Sequence, residues 1–222
     1  MMLRRLLAVI ALFCACISAR AQFSVDTNFR NFVQGGLRKG APFYDIGSVS
    51  RFVPSTMHMG LGIVGVPAKH AFVDRAIEET IAFSVTISTG YLLKYSLARI
   101  RPDGSDNKSF PSGHTLIAFT GAELTRLDYG WAWGGGAYAV ALFTGGERLW
   151  GDKHWLTDVL AGAGIGILAA NVGGWLLQPV KDLLGIPTIE WDGFGTLKTA
   201  VSFAPVADPF SNSYYATLSV TF

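Results

Sequence analysis

Three short stretches of this chain collect most of the side chains able to do chemistry. The first, Lys94-Tyr-Ser-Leu-Ala-Arg-Ile-Arg101-Pro102, sets two cations seven residues apart. That spacing is two helical turns, so Lys94 and Arg101 can project from one face of a helix ending near Pro102, as a clamp for a dianion. Alone, the pattern also fits a solvated or snorkelling helix terminus. The second, Phe110-Pro111-Ser112-Gly113-His114-Thr115, leads into an apolar run and reads as a helix start. Free backbone N–H groups and the helix dipole favour a phosphate at such a point. Gly113 lets an oxyanion approach the main chain, Ser112 adds a hydroxyl donor, and His114 lies one step inside. A capping serine beside an incidental histidine is the blander alternative. The third, Arg148-Leu-Trp-Gly-Asp-Lys-His154-Trp-Leu-Thr-Asp158, places His154 and Asp158 four apart at a helix start, where they share a face and can hydrogen-bond. A carboxylate on one imidazole nitrogen fixes the tautomer and makes the other nitrogen a better nucleophile. Such a pair can equally be structural.

Taken together, the segments escape their separate alternatives. In order and spacing, K-x6-R-P, P-S-G-H and R-x5-H-x3-D, they resemble the motifs of the type 2 phosphatidic acid phosphatase (PAP2) and vanadium haloperoxidase superfamily. The resemblance covers residues 94 to 158 directly and the helical run to about 180 loosely. It implies that Lys94, Arg101 and Arg148 bind phosphoryl oxygens, with Ser112 and the Gly113 amide completing the cradle. It implies further that His154 attacks phosphorus, Asp158 orients it, and His114 protonates the leaving alkoxide and later activates water. Three cations and a helix N-terminus stabilising charge on the transferring group also make physical sense unaided. No metal or other cofactor is expected: no acidic cluster of metal-ligand type is visible, and Asp103 and Asp106 read as solvated loop residues. One departure stands out, Glu147 where many relatives in the family carry Ser before the third-segment Arg; an acid there weakens that arginine's field or tunes the pH optimum.

These side chains need helices to hold them. From Phe52 to about residue 180 the chain is a series of apolar segments, rich in Ala, Leu and Gly and too long for strands. Tyr129–Gly146 and Val159–Val180 contain no charge. Phe52–Ala68, interrupted by Pro54 and Pro67, and Thr80–Leu93 are marginal spans, and Thr115–Ala122 is stopped by Glu123 and Arg126. Gly162 and Gly166, followed by Ala169 and Gly173, set small residues at a spacing that lets helix backbones approach closely. Charged residues are only 15% of the chain and mean hydropathy is +0.35, which points to a bilayer, or at least to a helical bundle with little polar surface. The expected fold is therefore all-α, a PAP2-type helical bundle embedded in a membrane, with a short C-terminal β-hairpin. The hairpin is read from the two-residue alternation of Tyr214, Ala216, Leu218, Val220 and Phe222, a similar repeat at Leu197, Val201 and Phe203, and a turn-rich Pro205–Ser213.

Residues 1–21 read as a secretory signal with a basic start at Arg4-Arg5, an apolar core and an Ala19-Arg20-Ala21 cleavage site. Both cysteines, Cys14 and Cys16, fall inside it, so disulfides and thiolate chemistry are excluded from the mature chain. Losing Arg4, Arg5 and Arg20 turns a formal +2 into −1, with no basic run to suggest nucleic acid. The expected domains are a leader at 1–21, an extracytoplasmic lead-in at 22–51, the phosphatase bundle at 52–180 and the hairpin extension at 188–222. If Lys94, His114, Arg148 and His154 mark helix ends, all four lie at one end of the bundle. The opposite turns carry Lys69, Arg75 and Arg126, which the positive-inside rule assigns to the cytoplasm, and the site then faces the periplasm. That helix count puts the hairpin in the cytoplasm unless one segment is merely interfacial. The implied function is a phosphatase of lipid phosphomonoesters or diphosphates in the bacterial envelope, with a phosphorylated lipid and the membrane as partners. A soluble periplasmic acid phosphatase and a vanadate-dependent haloperoxidase are the other readings.

Overall fold

A computed structural model describes residues 19–39, 42–186, 200–208 and 213–221; the leader, but for its last residues, lies outside this range. The described chain begins with helix α1 (Ala19–Asn31) and a π-helical turn, Phe32–Arg38. The bundle follows: α2 (Gly47–Ser50), α3 (Val53–Ile63), α4 (Phe72–Leu97), α5 (Gly113–Trp150) and α6 (Leu156–Leu184). Strands β1 (Ala200–Asp208) and β2 (Ser213–Thr221) close it as an antiparallel hairpin.

Helix α5 is a hairpin rather than a rod. At Gly130 the backbone leaves helical space (φ 72°, ψ −173°), a conformation open to glycine. The chain then doubles back: a Cβ on Gly134 would lie 2.6 Å from that of Arg126. Arg148 Nη1 ends 3.3 Å from His114 Nε2, thirty-four residues away. The arms meet through small side chains, Ala118 and Ala122 against Ala137 and Ala141, packed with Phe119. The first arm continues through Glu123 and Arg126, where the sequence suggested a stop. Arg126 donates twice to Glu123 at 2.6 Å, and Tyr138 and Asn171 bond the same carboxylate, so the charges reach the interior already neutralised.

Helix α6 packs against both neighbours through its glycine stripe, as its spacing predicts. A Cβ on Gly162 would sit 2.7 Å from the Ser112 carbonyl, one on Gly166 2.6 Å from that of Leu116, and one on Gly173 2.8 Å from that of Glu78. Each added methyl would push backbone apart, an overpacking that costs about 1–3 kcal/mol. Lys181 near the end of α6 bonds Asp74 at 2.6 Å in the interior. Breaking such a buried pair from one side costs about 3–5 kcal/mol.

Several expectations change. The segment Phe52–Ala68 forms only the eleven-residue α3, with Pro54 in its first turn, too short to cross a bilayer of about 30 Å. Among the described residues one helix, Leu156–Leu184, is long and apolar enough to do so. Arg75 is buried against the His58 carbonyl and Tyr129, and Arg126 is paired, so of the three supposed cytoplasmic cations only Lys69 stays exposed and unengaged by a carboxylate. Pro205, read as part of a turn, lies within β1 opposite Ala216; a two-stranded ribbon has edges where a missing N–H is tolerated. Its register pairs Val201 with Val220 and Phe203 with Leu218, matching the alternation, while Leu197 and Phe222 lie outside the described residues.

Candidate active site

The end of the bundle away from Gly130 gathers all eight residues singled out by the motifs. Lys94 lies in the last turn of α4, its Nζ donating to the carbonyls of Pro111 (2.7 Å) and Lys108 (3.0 Å). Burial, and then Arg101 nearby, lower its pKa to about 8. Its Cε would be 3.8 Å from a Cβ on Gly113, so the ammonium stands at the start of α5. Ser112 is the N-cap of α5, with extended backbone (φ −67°, ψ 109°). Its N–H donates to the Asp158 carbonyl at 3.0 Å, and its buried hydroxyl shares a 2.9 Å bond with that of Thr115. The hydroxyl is thus turned inward, with Gly113 left to present main chain.

His114 and His154 carry the clearest chemical information. His154 Nδ1 is 2.7 Å from the Ser109 carbonyl oxygen, which can only accept. Nδ1 must therefore carry the proton, and Nε2 keeps its lone pair, facing Arg101 Nη1 at 3.3 Å. Burial lowers the His154 pKa and keeps the ring neutral. His114 Nε2 faces two arginines, Arg51 Nη1 and Arg148 Nη1, both at 3.3 Å. Burial, followed by the charges of Arg148 and Arg51, lowers its pKa to about 3.

Two local geometries differ from the linear reading. Helix α4 ends at Leu97 with Ala98 left-handed (φ 43°), short of Pro102, so Arg101 reaches the site from a loop and not from the Lys94 face. Asp106 holds it there, accepting from Arg101 Nε at 2.7 Å and returning its carbonyl to the Arg101 N–H at 3.0 Å. Asp103 likewise binds Lys153 at 2.8 Å, so neither carboxylate is merely solvated. His154 precedes α6 instead of lying on it, because Trp155 is the N-cap. Asp158, at the third helical position, spends Oδ2 on the Trp155 N–H (2.9 Å) and stands 3.8 Å from His154 Nδ1.

Other residues complete the site. Arg99 Nη1 donates to Asp158 at 2.7 Å and its Nη2 to Asp26 on α1 at 2.5 Å, while Asp26 also receives the Thr157 N–H at 2.9 Å. Arg148 is gripped by Asp45 (2.5 Å) and by both oxygens of buried Glu147. Burial raises the Glu147 pKa despite that arginine. A Cβ on Gly47 would lie 2.1 Å from Glu147 Oε2, so a larger residue there would displace that carboxylate. Ser109 and Arg99 sit beside the motifs and could have been noticed. Asp26, Asp45 and Arg51 lie in or at the border of the supposed lead-in and carried no signal.

The family described as the PAP2 superfamily matches residues 78–180. The lipid A 1-phosphatase of Porphyromonas gingivalis is 34% identical over 159 residues, covering 69% of this chain and 35% of that protein. The undecaprenyl-diphosphatase of Sulfolobus acidocaldarius is 34% identical over 94 residues, 37% of this chain and 45% of its own length. The chain thus spans less than half the length of these curated relatives. A solved transmembrane PAP2-type phosphatidylglycerolphosphate phosphatase from Bacillus subtilis shares the fold, with a TM-score of 0.55 at 19% identity over 79% of this chain and 96% of that one.

Proposed function

Since this chain belongs to the PAP2 superfamily, we propose that it is a phosphatase acting on phosphomonoesters or diphosphates of lipids through a phosphohistidine. The observation that carries the reading is His154, whose Nδ1 proton is fixed on the Ser109 carbonyl so that Nε2 is free to attack. A phosphoryl group arriving between the two imidazoles draws Arg101 from His154 Nε2, and Arg51 and Arg148 from His114 Nε2, onto its own oxygens. Lys94 and the amides at the start of α5 supply further positive charge. The dianion restores the proton affinity of His114, which then protonates the leaving oxygen. In the second step His114 takes a proton from water attacking the phosphohistidine, and phosphate leaves. Asp158 acts through Ser109 and the Trp155 N–H, holding the loop that presents His154. No step calls for a metal.

A lipid substrate is supported by the named relatives and by the sides of the bundle, where Tyr91, Leu92, Leu142 and Leu160 are 59% to 68% exposed. We place the site on the periplasmic side of a bacterial membrane, residues 1–21 as a cleaved leader, 22–51 as an extracytoplasmic lead-in, 52–180 as the bundle and 188–222 as an appended hairpin. The soluble alternative draws on α3 being too short to span; carbonate extraction of membranes separates the two. The deciding assay is phosphate release by the purified chain across a panel of lipid phosphates, with and without detergent. Release from a lipid substrate that depends on His154 is expected, and release that survives His154→Ala would overturn the reading.

A further inference from the structure

At the end of the bundle opposite His114 and His154, folding makes a cluster that the linear sequence hides. His58 on α3, Glu78 on α4 and Asp128 near the end of the first arm of α5 bring one ligand atom each within 4.8 Å of one another, all three residues buried. His70, in the loop before α4, adds Nδ1 at 2.8 Å from Asp128 Oδ1 and 3.3 Å from Glu78 Oε2. We propose that His58, His70, Glu78 and Asp128 form a binding site for a first-row divalent cation, zinc above all, which fastens α3, α4 and α5 together. The proposal stands apart from the phosphatase reading and does not depend on it.

Three observations point to a cation. Glu78 Oε2, Asp128 Oδ1 and His70 Nδ1 are buried and converge as ion-pair contacts, yet none of these contacts has the angle of a hydrogen bond. Buried polar atoms left in this state are rare and call for a partner. An ion with bonds of about 2.0–2.2 Å holds its tetrahedral ligands roughly 3.3–3.6 Å apart; the His70–Glu78 separation of 3.3 Å matches, and the 2.8 Å to Asp128 would open by about half an ångström.

The second observation is an outer layer of the kind that supports metal-bound imidazoles. His58 Nδ1 lies 2.9 Å from Glu79 Oε2, and Ser55 donates its hydroxyl to the other oxygen of Glu79. A ligating histidine characteristically gives its second N–H to a carboxylate in this way. His58 Nε2, 2.7 Å from Asp128 Oδ2, would give up that hydrogen bond to ligate the ion.

Charge supplies the third. Glu78, Glu79 and Asp128 bring three negative charges, and Arg75, buried beside them, returns one positive. A divalent cation entering among these carboxylates would take the place of the ring protons that His58 and His70 otherwise share with them. His70, with its side chain 22% exposed, gives the ion its way in. Asp128 is fourteen residues along a helical arm from His114, about 20 Å, so an ion here fixes structure without touching phosphate.

The test uses the whole chain, purified with a tag free of histidine from zinc-replete medium. Elemental analysis should find about one zinc per chain. Cobalt substitution should give visible d–d bands, and chelation should lower the Tm by several degrees. Asp128→Asn and His70→Gln should each lose the zinc and the bands. His70→Gln changes only the solvent-side ligand, and circular dichroism checks that it folds, so it decides the matter even if Asp128→Asn does not fold. Wild-type protein holding less than about a tenth of an equivalent after zinc dialysis would overturn the site, leaving an imidazolium–carboxylate cluster only. Retention of wild-type zinc by folded His70→Gln would equally overturn it.

Discussion

His154 Nδ1 and Asp158 Oδ2 stand 3.8 Å apart, with Ser109 joining them: its carbonyl accepts from the imidazole at 2.7 Å and its hydroxyl donates to the carboxylate at 2.5 Å. The carboxylate therefore positions the nucleophile through a neighbour. His154→Ala should abolish turnover on every substrate while the fold persists, and rapid quench of the wild type should trap phosphate on His154. Ser109→Ala keeps the carbonyl but loses the hydroxyl, so it should cost about tenfold to a hundredfold in kcat with KM little changed. Unaltered kcat in Ser109→Ala would show that the link has no part in catalysis.

His114 should divide substrates by leaving group. As a general acid it is worth about 10²–10⁴-fold on an alkyl phosphate. His114→Ala should lose that factor there and far less on p-nitrophenyl phosphate or a diphosphate, which leave without a proton. Equal losses on both would reassign His114 to binding.

The same residue should make stability depend on pH. Its ordinary value of 6.5 falls to about 3 in the fold, so between these limits the unfolded chain binds a proton that the folded chain refuses. Stability from this source is complete above pH 6.5 and declines as pH falls toward 3. Thermal unfolding of the wild type from pH 7 to pH 4.5 should show a falling Tm, and His114→Gln should show a shallower decline. Parallel curves for the two proteins would contradict the assignment.

Glu147 should restrain the arginine beside it. Both its oxygens bond Arg148, which Asp45 also grips. Glu147→Ser would leave Asp45 to aim the guanidinium while freeing donors for a phosphoryl oxygen. Vanadate inhibition should tighten about threefold to tenfold, a change typical of one charged hydrogen bond. Weaker inhibition would mean that Glu147 is needed to aim Arg148.

The start of α5 and the close packing of α6 could be read in the sequence because their signals are local, a Ser-Gly start and glycines one turn apart; the proline after the basic turn misplaced the end of α4, which stops at Leu97. What escaped depends on long-range closure. Asp26 meets Thr157 from 131 residues away and Asp45 meets Arg148 from 103, in a segment whose composition says only that it is polar. The four residues of the proposed cation site come from three helices and a loop, so no spacing reveals them. Even within a motif, the four-residue step from His154 to Asp158 misled, because the helix begins at Leu156, between the two.

Gly130 also sets a mechanical condition on the site. The arms that carry His114 and Arg148 share that one elbow, and the arm from Gly130 to Arg148 is about 27 Å long. At that length a tilt of about 2° between the arms moves the guanidinium about 1 Å against the imidazole, enough to cost on the order of a hundredfold in rate. The tolerance of the machinery is therefore set at the far end of the bundle. The alanine seam, by holding the arms parallel, works as the bearing of a long lever.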